Sequence, residues 1–355
     1  MEQSATDHPS PSHMRAEIGE QPAALRRTLD GLLPRMSDVG LVARGTRQVL
    51  FIARGSSDNA AAYGRYLVES HVGRLATPAA PSIATVYKQK LDLSGVLAVA
   101  ISQSGKTEEI TETLSWAADC GARTIAVTNG PGSPLAEIAE VALITEAGDE
   151  LAVPATKTYT AQLAALAVIA LGLGAEVDLT DLRRTPDEVA GLIEATEASE
   201  ALPEITEELA AVSGAVVSGR GMVFGTALEL ALKLKEACYL HAMGLSYADL
   251  LHGPIAVVDE KTPAILVAAD SGPNLAGTVA LGRRVTGAGA SAYGIGGGPG
   301  LAEVCSRVLP GTALPEWVAP LALVVPGQLL VEALARRLGV DPDLPRGLNK
   351  VTQTA

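Results

Sequence analysis

Two turns rich in small hydroxyl side chains are the first places where this sequence could do chemistry. Residues 101–107 read ISQSGKT and follow an apolar run, and residues 52–57, IARGSS, end another apolar run. In both, a strand-like run passes through serine and glycine into a helix-like segment, which presents backbone N–H groups and hydroxyls to one point. Such a point suits a phosphate. The alternative is an ordinary turn in which Ser102 or Ser104 caps the helix.

A charged helix in the second half of the chain supplies acid–base groups. Glu229, Lys233 and Glu236 are spaced i, i+4 and i+7 in the apolar segment 224–240, so they share one helix face. Burying such a stripe is costly unless the charges pair, and the alternative is a solvated face with a salt bridge. His252 follows in the loop LHGP. A carboxylate, an amine and a histidine are the groups needed to move protons in a sugar.

The C-terminal segment 341–355, DPDLPRGLNKVTQTA, has the composition of a frayed chain end. Its prolines and polar residues predict coil. On composition alone, Lys350 is therefore an ordinary exposed lysine.

The two hydroxyl turns are set among alternating strands and helices. Near-continuous apolar strands that alternate with helices indicate an α/β fold, with a parallel sheet covered on both faces. Ligands of open sheets bind at the carboxyl ends of the strands, where both turns lie, and this agreement favours phosphate binding over helix capping. The polar side chains expected there are Ser56, Ser57, Ser102, Gln103, Ser104 and Thr107.

The second half of the chain repeats the first. The segment VSGRGM (217–222) corresponds to IARGSS, and VAADSGPN (267–274) corresponds to ISQSGKT but lacks its run of hydroxyls. The chain is therefore interpreted as a duplicated α/β domain with the phosphate site in the first copy.

The length of 355 residues allows two domains of ordinary size. The apolar segment 163–173 is too short to span a membrane and predicts a buried helix. The predicted boundaries are a flexible tail at 1–13, a helical arm at 14–40, a first domain at 41–175, a linker with a helix at 176–204, a second domain at 205–338 and a C-terminal catalytic loop at 339–355.

Composition excludes several classes of protein. The formal charge of −13 argues against sequence-independent nucleic-acid binding. Cys120, Cys238 and Cys305 form no CxxC pair, so neither a disulfide framework nor a zinc site is predicted. The first residues lack the basic and then apolar order of a secretory signal. We expect a soluble, cytoplasmic protein without nucleic-acid or membrane partners.

Motifs along the chain resemble, in order, those of the sugar isomerase (SIS) domain family. They are MRAEIGEQP, ARGSSDNA, ISQSGKTEEI, NGPGSPL, VPATKTYT, ELALKLKE, LHGP and LPRGLNK. The resemblance is strongest to the isomerase half of glucosamine-6-phosphate synthase and to the related stand-alone amino-sugar-phosphate deaminases and deglycases. It implies two tandem SIS domains, each a flavodoxin-like, five-stranded parallel sheet between helices, that act on a hexose 6-phosphate.

The resemblance also implies roles for single residues. Glu236 would be the base that moves a proton between C1 and C2, with Glu229 and Lys233 as polar neighbours. His252 would assist ring opening from across a subunit interface, which implies a homodimer. Lys350 would open the ring or form an imine. The implied substrate-binding residues are Ser56, Ser57, Ser102, Gln103, Ser104, Thr107, Val153 and Ala155. The implied chemistry, through an enediolate or enolamine, needs no metal or other cofactor.

The sequence departs from the family pattern at several positions. Ala155 stands where a serine is expected near the sugar hydroxyls, and Asp249 and Leu251 replace the usual glutamate and lysine before HGP. We also expect no amidotransferase domain before Met14, and hence no glutamine-driven synthesis by this chain alone. These departures leave the substrate open.

Four functions follow from this pattern. The leading hypothesis is an amino-sugar-phosphate enzyme that isomerises a glucosamine 6-phosphate-like substrate and releases ammonia. The second applies the same base to an N-acetylated hexosamine phosphate and expels the C3 hydroxyl as water, as a dehydratase or lyase. The third is a fructosyl-amine 6-phosphate deglycase, whose pocket Ala155 would enlarge. The fourth is a non-catalytic sugar-phosphate sensor, which the set Glu236, His252 and Lys350 disfavours.

Overall fold

In the computed structural model, which describes residues 11–350, the chain forms two five-stranded sheets in which every strand pair is parallel. Most of the predicted tail 1–13 and the last five residues of the predicted C-terminal loop lie outside the described part of the chain.

The predicted N-terminal arm is helical. Helix α1 (His13–Leu32) begins after Ser12, whose hydroxyl accepts a hydrogen bond from the Arg15 N–H, and continues through Pro22. A short 3₁₀ turn then leads to α2 (Met36–Val42). The buried face of α1 packs against the helices that cover the sheets.

The first sheet has the strand order β2-β1-β3-β4-β5. Its strands are β1 (Gln48–Ile52), β2 (Leu75–Pro78), β3 (Val96–Ile101), β4 (Arg123–Thr128) and β5 (Val141–Ile144). The helices of this half are α3 (Ser56–His71), α4 (Ser82–Thr85), α5 (Glu108–Asp119), α6 (Pro134–Ile138) and α7 (Lys157–Gly172). The apolar strands β3 and β4 are buried at every residue after the first, as expected for a sheet covered on both faces.

The second half begins after two helices, α8 (Leu179–Glu197) and α9 (Ala201–Ala210). Its strands are β6 (Gly214–Ser218), β7 (His241–Leu245), β8 (Ala264–Ala268), β9 (Ala292–Gly296) and β10 (Arg307–Leu309), in the order β7-β6-β8-β9-β10. Its helices are α10 (Phe224–Cys238), α11 (Tyr247–Leu251), α12 (Leu275–Gly287), α13 (Gly298–Ala302) and α14 (Pro320–Arg337). Helix α8, within the predicted linker, packs against α1 and α14.

The two sheets share one topology. Each has the order second, first, third, fourth, fifth, which is the flavodoxin-like order. The two segments paired in the sequence, 52–57 and 217–222, follow the first strands β1 and β6, and the other pair follows β3 and β8. The predicted α/β class, with two tandem five-stranded parallel sheets, is confirmed.

The core lies where helices of the two halves meet. Of the sixteen residues of α7, fourteen are buried, so the apolar segment at 163–173 forms the predicted buried helix. Helix α3 contacts α7 and α10, and α10 contacts α14, which joins the two sheets through packed helices. Among residues 11–350, no helix combines the length and apolarity that crossing a bilayer requires.

Candidate active site

A cavity of about 320 Å³ brings the two hydroxyl turns together with the charged helix and the C-terminal segment. Strand register explains the first contact: Ile52 pairs with Ala100, so β1 and β3 end side by side. The lining residues that the sequence singled out are Ser56, Ser57, Ser102, Gln103, Ser104, Thr107, Val153, Ala155, Lys233, Glu236 and Lys350.

The hydroxyl turn after β3 does not serve to cap α5. The N-cap is Thr107, and within residues 11–350 its side chain makes no capping hydrogen bond. Ser102 Oγ lies 3.4 Å from Thr107 Oγ1, and Ser104 Oγ accepts the Lys106 N–H at 3.2 Å. Gly105 has a φ of 62°, and a Cβ there would overlap Ser133, so this turn requires glycine. The hydroxyls line the cavity instead.

In the second domain, the carboxylate of Glu316 lies at the position that corresponds to the hydroxyl turns. Asn274, the N-cap of α12, donates from Nδ2 to Glu316 Oε1 at 2.9 Å. Glu316 also lies against Gly221 and Gly272, which belong to the turns after β6 and β8. A carboxylate between these turns disfavours a second phosphate there.

Two of the three charged side chains in the stripe of α10 are buried, so the stripe is not a solvated face, although the i,i+4 salt bridge of that alternative is present. Lys233 Nζ lies 3.4 Å from Glu229 Oε1 and 2.5 Å from Glu236 Oε2. The Glu229 side chain is fully buried and that of Lys233 is 2% exposed, whereas that of Glu236 is 23% exposed. Asn59 on α3 donates to the other oxygen of Glu229 at 2.8 Å.

Burial and charge pairing set the ionisation of this stripe. Burial raises the pKa of the Glu229 carboxyl, although Lys233 and Asn59 oppose the shift. Burial would lower the pKa of Lys233, but Glu229 and Glu236 together raise it above its ordinary value. Lys233 is therefore a buried cation that holds Glu236 at the cavity wall.

Residues 341–350 of the C-terminal segment are anchored rather than frayed, contrary to the prediction from composition. The Asp343 carboxylate accepts the backbone N–H groups of His13 and Met14, each at 2.8 Å, at the start of α1. The Asp343 carbonyl accepts the Val153 N–H at 2.8 Å. The Arg346 N–H donates to the Tyr239 hydroxyl at 2.8 Å, and its guanidinium lies 4.3 Å from the ring centroid. These contacts hold the segment so that residues 348–350 form part of the cavity wall.

Lys350 meets a carboxylate that sequence reasoning missed. Its Nζ lies 2.7 Å from Glu150 Oε2 and 2.6 Å from the Ala152 carbonyl oxygen. Burial alone would raise the pKa of Glu150, but Lys350 and hydrogen bonds from Thr158 and Thr156 hold it below its ordinary value. In the sequence, Glu150 is one of several acidic residues in a loop, and its partner is 200 residues away.

Other lining residues were also missed. Gln162 lies one turn after Thr158 on α7, and its side chain is buried against the cavity. The helical spacing of these two polar residues, just after VPAT, was a signal that could have found them. The remaining lining residues are Arg54, Gly55, Ile101, Ile110, Leu348 and Asn349.

Two predicted site residues are outside the cavity that residues 11–350 form. Glu229 lies behind Lys233. His252 follows α11, is exposed and does not line the cavity of its own chain. Within the described residues, no group of three or more His, Cys, Asp or Glu side chains is arranged to hold a metal ion.

Known proteins resemble this chain over nearly its whole length. Glutamine–fructose-6-phosphate aminotransferase (isomerizing) of Symbiobacterium thermophilum is 36% identical over 361 residues, which cover 95% of this chain and 58% of that protein. The chain thus spans little more than half the length of the curated relatives it matches.

Solved structures match both halves of the chain. A protein from Silicibacter pomeroyi DSS-3, assigned as a phosphosugar isomerase, is 33% identical with a TM-score of 0.85, and the match covers 94% of this chain and 100% of that one. The C-terminal domain of glucosamine-fructose-6-phosphate aminotransferase from Francisella tularensis is 28% identical with a TM-score of 0.86, covering 96% and 100%. The family model described as SIS domain matches residues 44–172. The chain belongs to the SIS domain family.

Proposed function

We propose that the chain is a cytoplasmic enzyme that isomerises a hexosamine 6-phosphate and releases its amine as ammonia. The observation that carries this proposal is that Glu236, Lys233 and Lys350 line the same cavity as the two hydroxyl turns. Relatives named for fructose 6-phosphate and for isomerisation support a six-carbon sugar phosphate as the substrate.

The phosphate is proposed to bind at the turns that end β1 and β3. Ser102, Ser104 and Thr107 offer hydroxyl donors, and the start of α5 adds the positive end of a helix dipole. Because the phosphate does not react, these contacts mainly supply binding energy common to the ground and transition states.

The proposed reaction moves one proton and releases ammonia. After ring opening, Glu236 takes the proton from C2, and the C–H electron pair forms the C1–C2 double bond while the C1 oxygen gains a proton. Return of a proton to C1 leaves an imine at C2. Water adds to this imine and releases ammonia, so the sum is glucosamine 6-phosphate plus water to fructose 6-phosphate plus ammonia.

Ala155 favours a second candidate function. It lines the cavity and replaces a hydroxyl by a methyl group, which leaves room and an apolar contact for an N-acetyl group. With the amine acylated, Glu236 would take the C2 proton, and the C–H electron pair would form a C2–C3 double bond as the C3–O bond breaks. The leaving hydroxide takes up a proton and departs as water. This reaction would make the chain an N-acetylhexosamine 6-phosphate dehydratase.

A homodimer is part of the proposal. His252 is exposed and lies outside the cavity of its own chain, which is compatible with delivery to the cavity of a second copy. There its imidazole would assist opening of the sugar ring.

Product analysis separates these functions. The purified chain is incubated with glucosamine 6-phosphate or with N-acetylglucosamine 6-phosphate, and ammonia, fructose 6-phosphate and ultraviolet-absorbing dehydration products are measured. Ammonia with fructose 6-phosphate from the first sugar supports the leading proposal, and an ultraviolet-absorbing product from the second supports the dehydratase. Tight binding of either sugar without any product would make the chain a sensor and overturn both.

A further inference from the structure

We propose that Glu150 is a positioning residue that tethers Lys350 in the free enzyme as an ammonium group, with one N–H left for the substrate. The inference rests on the proposed function for the identity of the substrate. It goes beyond that function by assigning a role to a side chain that the proposed chemistry does not itself require.

The donors of Lys350 can be counted. An ammonium group has three N–H donors and no acceptor. One is directed to Glu150 Oε2 at 2.7 Å and a second to the Ala152 carbonyl at 2.6 Å. Within residues 11–350 the third donor has no further acceptor, and the side chain lines the cavity and is 25% exposed, so we assign this donor to a sugar oxygen.

Glu150 is itself held in one place. Its Oε1 accepts the backbone N–H groups of Thr156 at 2.9 Å and Thr158 at 3.1 Å, and its Oε2 accepts the Thr158 hydroxyl at 2.6 Å. The side chain is fully buried. Because these hydrogen bonds fix the position of the Glu150 carboxylate, it cannot move with Lys350. The pair therefore forms only when the Lys350 side chain is at the position that Glu150 sets.

The ionisation of Glu150 agrees with this geometry. Lys350 and the threonine donors outweigh burial and hold the pKa of Glu150 below its ordinary value. The carboxyl thus stays ionised at neutral pH and can accept a hydrogen bond from Lys350. The segment 339–350 places Lys350 at the cavity wall, and the contact with Glu150 fixes the position of its ammonium group.

Amine labelling tests the tether without any substrate. The chain is acetylated with an N-hydroxysuccinimide ester at pH 8, and the labelling rate of each lysine is followed by mass spectrometry. Removal of the carboxylate frees the amine. The reagent should therefore label Lys350 about tenfold faster in Glu150→Gln than in the wild type. Glu150→Asp, which keeps the charge on a shorter stem, should give an intermediate rate.

Controls in the same spectra exclude a general loss of structure. Lys233, whose side chain is 2% exposed, should stay slowly labelled in every folded variant. Lys157, whose side chain is also 2% exposed, should stay slowly labelled in the wild type and in both Glu150 variants. Glu20→Gln removes the 2.5 Å partner of Lys157, outside the cavity, and should leave Lys350 at the wild-type rate. Equal labelling of Lys350 in the wild type and in folded Glu150→Gln would overturn the tether.

Kinetics extend the test to whichever sugar the wild type converts. Glu150→Gln should lower kcat with KM nearly unchanged, since the hydroxyl turns are untouched, and Glu150→Asp should restore part of kcat. A change in KM alone would contradict the positioning role. If the wild type converts neither sugar, the proposed function fails, and the labelling rates still decide the role of Glu150.

Discussion

Lys233 stands between two carboxylates that differ in their access to the cavity. Glu229 is fully buried, and burial raises the pKa of its carboxyl. Glu236 is partly exposed and lines the cavity. Since a base must reach the substrate, the proposed function assigns proton transfer to Glu236, whereas Glu229 pairs with the lysine from behind.

Replacement of Glu236 by glutamine should separate turnover from binding. We expect Glu236→Gln to lower kcat by about 10²–10⁴-fold because it removes the proposed base. Affinity for fructose 6-phosphate, measured by calorimetry, should change little because the hydroxyl turns remain. Lys235→Gln on the exposed face of α10 is the matched control and should behave as the wild type. Near-normal kcat in Glu236→Gln would exclude Glu236 as the base.

The Glu150–Lys350 pair should make stability depend on pH in one direction. The pKa of Glu150 is lowered from 4.5, so its contribution is fully present above pH 4.5 and is lost as the pH falls through the lowered value. Urea unfolding at pH 7 should show Glu150→Gln less stable than the wild type by about 3 kcal/mol. The difference in the free energy of unfolding between the wild type and Glu150→Gln should become smaller at the acid end of a series from pH 7 to pH 3. A difference that widened on acidification would contradict the pairing.

At the level of elements, the contact between α3 and α10 joins the phosphate side of the cavity to its acid–base side. Ser56 and Ser57 begin α3, while Lys233 and Glu236 lie on α10. The helices approach closely at Gly225, where a Cβ would lie 2.5 Å from the Asn59 carbonyl oxygen. The same approach allows Asn59 to reach Glu229.

A side chain at the close approach of α3 and α10 should therefore affect both stability and activity. Gly225→Ala must push α10 away from α3, and we expect a loss of about 1–3 kcal/mol in the free energy of unfolding together with a lower kcat. Gly191→Ala is the matched control, because a Cβ at this helical glycine would meet no atom of residues 11–350 within 4 Å apart from its chain neighbours and its own helix backbone. It should be neutral or slightly stabilising. Equal thermal midpoints for the two variants would contradict the close approach.

At the level of the whole molecule, one chain forms most of the candidate site but leaves His252 outside it. Both sheets contribute: the first supplies the hydroxyl turns and the second supplies α10. The segment 339–350 closes the wall with Leu348, Asn349 and Lys350. The domain boundaries at 41–175 and 205–338, and the homodimer, stay predictions.

Mixing two inactive variants tests whether the site needs two copies. Glu236→Gln and His252→Ala chains are unfolded and refolded together, and activity is compared with that of each variant alone. A heterodimer would contain one intact site, so random pairing should restore about a quarter of the wild-type activity. Light scattering checks that the species is a dimer. A mixture no more active than its components would contradict the delivery of His252 to the cavity of a second copy.

Local sequence patterns determined the architecture of this protein. Apolar strand runs, their Gly and Ser turns and the internal repeat depend on neighbours a few residues apart, and they predicted two parallel sheets and the hydroxyl turns correctly. The i, i+4, i+7 spacing likewise placed Glu229, Lys233 and Glu236 on one helix face.

Only the tertiary structure decided which charges are buried and with which partners. Composition predicted a frayed end at 341–355. Within the described part of that segment, however, Asp343 contacts the start of α1 some 330 residues earlier in the chain, and Lys350 contacts Glu150. Whether a carboxylate is solvated or fully buried depends on elements packed from distant parts of the chain, and that burial sets both its pKa and its need for a partner. No local pattern distinguishes Glu150 from its acidic neighbours, so this part of the site appears only when the chain is folded.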